Sequence, residues 1–208
     1  TIINIPTEEI VANGGILMPV IKYKEIKTKK MEENNTAVLN KYLINNRKRN
    51  NIITRDILNE AFNGEICIAL STRKKHCEIL YELTRVSWEK SGIATGDYSD
   101  KENDATIKKL ENGEITVIFT TPDLLGEGFD VDILSRGFIC LPFRSETRIE
   151  QFIGRIQRSA PNKKDVVIYD YVDTNIGVFK DQFYTPNESK DCRVRVYNRL
   201  NLALRPAA

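Results

Sequence analysis

The chain has 208 residues, of which 41% are hydrophobic, 8% aromatic and 29% charged, enough for one domain with a substantial core or one domain plus a small appendage. That composition excludes a disulfide-framed miniprotein, a coiled coil and a disordered polyampholyte. The 31 basic and 29 acidic residues leave a formal charge of +2, so nucleic-acid binding would have to use local patches and not a polycationic surface.

No run approaches the ~18 apolar residues of a membrane span, and no basic segment followed by an apolar one opens the chain. The expectation is a cytoplasmic protein with no membrane partner. Cys67, Cys77, Cys140 and Cys192 are widely separated and form no CxxC pair. This suits reduced, buried thiols better than a disulfide frame or a zinc site, and no metal-ligand cluster is expected.

The first 35 residues read as irregular apart from a short strand, Ile16 to Ile21. Residues 22 to 50 carry nine basic and three acidic side chains, the strongest charge bias in the protein. Lys22, Lys24, Lys27, Lys29 and Lys30 read as a solvated linker in preference to a phosphate-binding patch. Helices are expected at about 35–46 and 54–62, the second stopped by Asn63-Gly64. From Gly64 onward, short apolar runs alternate with helical segments. Strands are expected at 66–70, 92–95, 115–119, 137–141 and 166–171, and helices at 73–87, 102–111 and 146–157. The strands are continuous apolar runs, as in a mostly parallel sheet covered on both faces. The fold class is therefore α/β with three layers. It divides into a connector and helical insertion (1–63), the α/β domain (64–175) and a helical tail (176–208) with six basic and three acidic residues. In that tail Val194, Tyr197, Leu200 and Leu204 fall at helical spacing.

Three segments carry chemistry. On a helix of 3.6 residues per turn, Ile149, Phe152, Ile153 and Ile156 form a core stripe. Gln151, Arg155 and Arg158 then fall on the other side, flanked by Gly154. A mid-helix glycine costs about 1 kcal/mol relative to alanine, and close approach of a ligand or another backbone would justify it. Two guanidiniums beside it suit phosphate oxygens; the bland reading is an amphipathic helix with solvated arginines. The second segment, Thr121 to Asp130, follows a strand, where open α/β sheets bind ligands. Thr121 can cap a short helix opened by Pro122, the loop holds Gly126 and Gly128, and Asp130 can accept from a ribose hydroxyl. A dinucleotide fingerprint is the competing reading, but Val131 stands where a third glycine is needed. The third segment, Ser71-Thr72-Arg73-Lys74-Lys75, also follows a strand and opens a helix. It is either an anion site or a plain cap with a charged first turn. His76 is the only histidine, and the sequence identifies no partner for nucleophilic catalysis.

In order, these segments resemble motifs IV, V and VI of the second RecA-like lobe of superfamily 2 helicases and translocases. Gln151 to Arg158 fits Q-x-x-G-R-x-x-R, Thr121 to Asp130 is similar to motif V, and Ser71-Thr72-Arg73 to motif IV. Thr95-Gly96-Asp97 with Asn112-Gly113-Glu114 resembles the segment between motifs IV and V. The XPB-like group and the motors of type I restriction systems are the nearest in flavour, with a strand ending like Tyr169 to Asp173. The resemblance covers about 64–175. One departure is Asp132, where relatives usually have proline. Neither GxxxxGK[S/T] nor an Asp-Glu dipeptide occurs. The expectation is thus a second motor lobe whose Walker-bearing N-terminal RecA-like lobe lies elsewhere in the full-length protein.

The resemblance implies an ATP-dependent helicase or translocase, inactive without the other lobe, which would hold most of the ATP and Mg²⁺. Arg158 would be the arginine finger, with Arg155 at the same phosphates. Gln151, Gly128 and Asp130 would bind or couple to the nucleotide. Ser71, Thr72, Arg73 and Thr121 would contact the backbone of DNA or RNA. The rival reading is a non-catalytic RecA-like module that binds nucleic acid or protein.

Overall fold

The computed structural model describes residues 15–125 and 129–207. Its strands are β1 (Val20–Ile26), β2 (Cys67–Leu70), β3 (Ser91–Ala94), β4 (Val117–Thr120), β5 (Arg136–Ile139), β6 (Val167–Asp173) and β7 (Ala203–Pro206). Among the described residues the helices are α1 (Thr36–Ile44), α2 (Arg47–Phe62), α3 (Lys74–Arg85), α4 (Asp100–Glu111), α5 (Glu146–Ile156), α6 (Gly177–Phe183) and α7 (Arg193–Arg199), with a 3₁₀ turn at Pro122–Leu125. The strands form one sheet in the order β3-β4-β2-β5-β6-β1-β7, every neighbouring pair parallel.

The apolar runs explain this arrangement. Every residue of β2, β4, β5 and β6 is buried, which only a sheet covered on both faces permits. Ile68, Leu70, Ile118, Ile139 and Ile168 pack on one face with Leu110 of α4, the apolar stripe of α5 and Val196 and Tyr197 of α7. Cys67, Ala69, Phe119, Phe138 and Tyr171 pack on the other with Ile53 and Ile57 of α2 and Cys77 and Leu80 of α3. A third cluster joins Leu39 and Leu43 of α1 to Leu141, Ile176 and Phe179. All four cysteines are buried and free.

Helix ends follow local chemistry. Ser99 and Glu102 form a reciprocal capping box at the start of α4. Asn63-Gly64 and Asn112-Gly113 end α2 and α4, with Gly64 and Gly113 at positive φ of 84° and 73°.

Two expectations are corrected. The first strand is Val20–Ile26, not Ile16 to Ile21, so Lys22 and Lys24 lie on a strand and not in a linker. Lys24 Nζ pairs with Asp56 at 2.9 Å. The tail is helical only up to Arg199; Leu204 lies on β7, paired opposite Ile21. Hydrogen bonding to the open edge of β1 overrides the helical spacing there. The sheet thus draws β1 from before residue 64 and β7 from after 175.

Strand β6 carries two carboxylates with no access to water. Asp170 accepts two hydrogen bonds from Arg193 (2.7 and 3.0 Å) and one from Tyr197. Asp173 accepts from Nε of Arg49 at 3.1 Å. Both arginines and both aspartates are fully buried.

Helix α5 sits close over β5 because residue 137 is glycine. A Cβ there would stand 2.7 Å from Phe152 Cζ and 2.9 Å from Ile156 Cδ1. Gly137→Ala is therefore expected to lower unfolding stability by about 1–3 kcal/mol through overpacking, read from urea denaturation. An unchanged urea midpoint would contradict the close approach.

Candidate nucleotide and nucleic-acid interface

The three sequence motifs lie on adjacent strands. Residues after β4, β2 and β5 begin the segments that resemble motifs V, IV and VI, and these strands are neighbours in the sheet. The segments do not all stay at that edge. Helix α5 runs back antiparallel to the strands, and its eleven residues span about 16 Å. Its C-terminus reaches the edge where strands begin. The chain from Thr121 likewise crosses from the end of β4 to the start of β5.

Arg158 lies past the end of α5 and not on it. The helix stops at Ile156, Gln157 is its C-cap, and Arg158 forms an isolated antiparallel bridge with Ile16. The reading of Gln151, Arg155 and Arg158 on one helical stripe is corrected accordingly. Gln151 is exposed in the second turn, Arg155 is half-buried in the last, and Arg158 is half-buried beyond it. The guanidinium of Arg158 pairs with Asp130 and, at 3.3 Å, with Asp132. A Cβ on Gly154 would meet nothing within 4 Å, so that stretch of the helix surface is open. Gly128 lies outside the described residues.

Helix α5 and the residues after it are braced at both edges of the sheet. Arg148 binds Asp123 at 2.8 Å, joining α5 to the 3₁₀ turn. Arg199 binds Glu146 and Glu150 at 2.9 and 2.5 Å, joining α7 to α5. Leu17 N–H donates to Gln157 O at 2.7 Å. Lys163 Nζ donates to the carbonyls of Ile156, Arg158 and Asp132 at 2.7, 2.5 and 2.9 Å. An ammonium on these last carbonyls suits the negative end of the helix dipole and fixes the backbone of Arg158. Burial lowers Lys163 to about 8, with Asp132 acting in the opposite direction.

The other group stands at the carboxyl ends of β2 and β4. Thr72 is half-buried, and Arg73, Lys74 and Lys75 are exposed. Arg73 is the N-cap residue of α3 but makes no side-chain cap, and the first turn has no acid. Lys74 pairs with Asp97 at 2.5 Å. Ser71 is only 1% exposed, and its hydroxyl is turned inward. Asn50 Nδ2 donates to Ile44 O, leaving its Oδ1 as the acceptor for His76 Nε2 at 3.1 Å. His76 Nδ1 then accepts from Ser71 Oγ at 3.0 Å, which in turn accepts from Arg73 N–H. Burial, then the charge of Arg49, hold His76 well below its ordinary range, so it stays neutral. Ser71 thus positions the Arg73 loop, leaving Thr72 and Arg73 as the accessible members of that motif. Thr121 is 5% exposed at the neighbouring strand end.

The sequence residues therefore divide into two groups at opposite edges. Arg158, Asp130 and Asp132 are brought together at one; Ser71, Thr72, Arg73 and Thr121 share the other. Sequence reasoning did not find Lys163 or the Ser71–His76–Asn50 chain. Lys163 lies five residues beyond Arg158 with no motif to mark it, and Asn50 is twenty-six residues from His76.

A three-layer parallel α/β fold with a Q-x-x-G-R-x-x-R segment, its last arginine paired with Asp130, is that of a helicase C-terminal domain. The family described as the Helicase conserved C-terminal domain matches residues 48–160, more than half of the chain, and the chain belongs to it. It is 29% identical over 141 residues to a putative ATP-dependent RNA helicase, L396, of Acanthamoeba polyphaga mimivirus, covering 67% of this chain and 26% of that protein. The fold is shared with T4 UvsW (TM-score 0.69, 14% identity, 90% of this chain and 41% of that one). It is also shared with a Dbp5 variant of S. cerevisiae bound to RNA and ADP BeF3 (TM-score 0.64, 17% identity, 99% of this chain and 44% of that one). The chain spans about a quarter of the length of the curated relatives it matches.

Lys163 gives a pH test. Its proton is held less tightly folded than unfolded, so between about pH 8 and 10.5 the unfolded chain binds more protons and this residue's contribution to stability rises with pH. Buried thiols act oppositely; Cys77 is pushed up to about 12, so its contribution falls above its unfolded value of 9.0. The stability of the protein minus that of Lys163→Met is expected to rise between about pH 7.5 and 9.5, measured by urea unfolding at each pH. A flat or falling difference would contradict the buried position of the amine.

Proposed function

We propose that this chain is the second motor lobe of an ATP-dependent nucleic-acid helicase or translocase of the cytoplasm. The observation that carries the reading is Arg158 at the strand-start edge. It is half-exposed, fixed in backbone by Lys163 and the Ile16 bridge, and paired among the described residues with two surface carboxylates. A triphosphate held by the N-terminal RecA-like lobe would compete with those carboxylates for the same fork of N–H donors. The residues fit phosphates: Arg158 and Arg155 supply fixed positive charge, and the open surface over Gly154 leaves room for a facing lobe.

ATP, with Mg²⁺ held mainly by the other lobe, supplies the γ-phosphoryl group whose transfer to water drives the motor. Arg158 stabilises the charge that develops on that group, as an arginine finger does. Arg155 sits one helical turn away to share the phosphates, and Gln151 orders the helix face toward them. Asp130, with Gly128 two residues before it in sequence, touches the nucleotide or links it to the segment that begins at Thr121. At the opposite edge, Thr72 and Arg73 meet the phosphodiester backbone of DNA or RNA, with Ser71 holding the loop and Thr121 beside it. Such contacts read no base sequence, which suits a motor that steps along any strand. The crossing from Thr121 to Asp130 connects the two edges, so closure on nucleotide would be felt by the strand.

In the full-length protein, Arg158→Ala is expected to lower nucleic-acid-stimulated ATPase by roughly a hundredfold or more while circular dichroism of the lobe stays unchanged. A near-normal rate would remove Arg158 from the site. The 208-residue chain alone is expected to show no ATPase; turnover abolished by Arg158→Ala in the isolated chain would contradict the division of labour between lobes. If no Walker elements accompany this lobe in the full-length sequence, the non-catalytic binding module replaces the motor.

A further inference from the structure

We infer that the carboxyl end of β1 carries a phosphate-binding pocket, separate from the motif IV group, built by Lys27, Thr28, Lys29, Lys48 and Arg49. These residues line one cavity of about 480 Å³. Two of them carry buried polar atoms with no hydrogen-bond partner among the described residues: the hydroxyl of Thr28, which is 7% exposed, and Nη2 of Arg49, which is fully buried. A buried guanidinium nitrogen without an acceptor is costly, and the other nitrogens of Arg49 are already used. Nε donates to Asp173 and Nη1 to Cys140 O at 2.7 Å. The missing partner of Nη2 is an acceptor, and Thr28 can donate to the same acceptor.

The surroundings favour an anion. Lys27, Lys29 and Lys48 are exposed, and none pairs with a carboxylate among the described residues. Glu25 is the one acid on the lining. The sixteen-residue α2 starts here, and its first turn has no acid, so the positive end of its dipole is not neutralised. The loop is held in place: Asn175 Nδ2 donates to Thr28 O at 2.8 Å, and Lys29 N–H donates to the Tyr42 hydroxyl at 3.2 Å. An anion with several oxygens can accept from Arg49, Thr28 and the lysines together, and phosphate has that form.

The pocket lies on the sheet edge that also carries Thr72 and Arg73. Strand β1 is three places from β2 in the sheet, about 14 Å at the usual strand spacing. A nucleic-acid strand bound at Arg73 could set a further backbone phosphate there, and a free phosphate offers the same oxygens. The choice of nucleic acid as source rests on the function proposed above; the pocket itself does not.

The test uses the 208-residue chain, its amide resonances followed by NMR during titration with inorganic phosphate and, separately, with single-stranded oligothymidylate. Saturable shifts at Thr28, Lys29 and Lys48 are expected. Thr28→Val and Lys29→Gln are each expected to weaken the ligand about threefold to tenfold, with Lys29→Gln lowering the salt slope for the oligonucleotide by about one. Shifts with phosphate but not the oligonucleotide would support the pocket and assign it to a free phosphate. Arg73→Gln separates the two readings. If it weakens the oligonucleotide while the pocket variants bind normally and no shift appears at Thr28 or Lys29 with either ligand, the inference is overturned and the motif IV reading stands. If the pocket variants weaken the oligonucleotide and Arg73→Gln does not, the inference stands and the motif IV reading falls.

Discussion

Two aspartates on a strand closed to water set the terms for this lobe. Asp170 and Asp173 lie on β6, and each needs a guanidinium brought in from outside the central strands. Arg193 comes from α7 and Arg49 from α2. Removing one partner from such a pair leaves an uncompensated buried charge, at a cost of about 3–5 kcal/mol. The segments on either side of the helicase motifs are thereby fastened to the sheet from both ends of the chain. Burial raises Asp173 above the usual carboxylate range even with Arg49 beside it, so desolvation outweighs the pairing and the site depends on Arg49 staying in place.

That fastening gives the lobe two working edges. Arg193 holds α7, α7 holds α5 through Arg199, and Arg158 lies two residues past the end of α5. Arg49 holds α2, the helix that also supplies Asn50 to the chain of hydrogen bonds behind Arg73. The phosphoryl chemistry and strand contact proposed for these edges would be separated by the height of the sheet, with α5 and the segment from Thr121 to Asp130 leading from one to the other. A parallel sheet makes this possible, because each helix returns the chain from one edge to the other.

Much of this was legible in the sequence. Continuous apolar runs gave the buried strands, Asn-Gly pairs gave two helix ends, and the spacing of motif VI gave α5 and its core stripe. The helix ends at Ile156 against an expected 157, and the helical stripe was extended to Arg158, which put that residue on the wrong structural element. The reason is physical: Lys163 and the Ile16 bridge hold the backbone of Arg158 outside the helix, and Ile16 is remote in sequence while no motif marks Lys163. Ser71 was legible as part of a motif but not as buried, because His76 and Asn50 decide where its hydroxyl points. The strands β1 and β7 were obscured because β7 is an edge strand and β1 lies beside it, and both are partly exposed and mix charged with apolar residues. In the basic stretch, Lys22 and Lys24 joined the sheet while Lys27 and Lys29 came to line a cavity, a division that charge counting does not reveal.

The central claim is that Arg158 acts on a developing phosphoryl charge and not on the resting nucleotide. The most direct measurement compares the affinity of the full-length protein, with nucleic acid bound, for ADP and for ADP with aluminium fluoride, before and after Arg158→Lys. Preferential binding of the transition state predicts that the substitution weakens the fluoride complex about tenfold or more and changes ADP by less than about twofold. Equal loss for both ligands, or none for either, would contradict it.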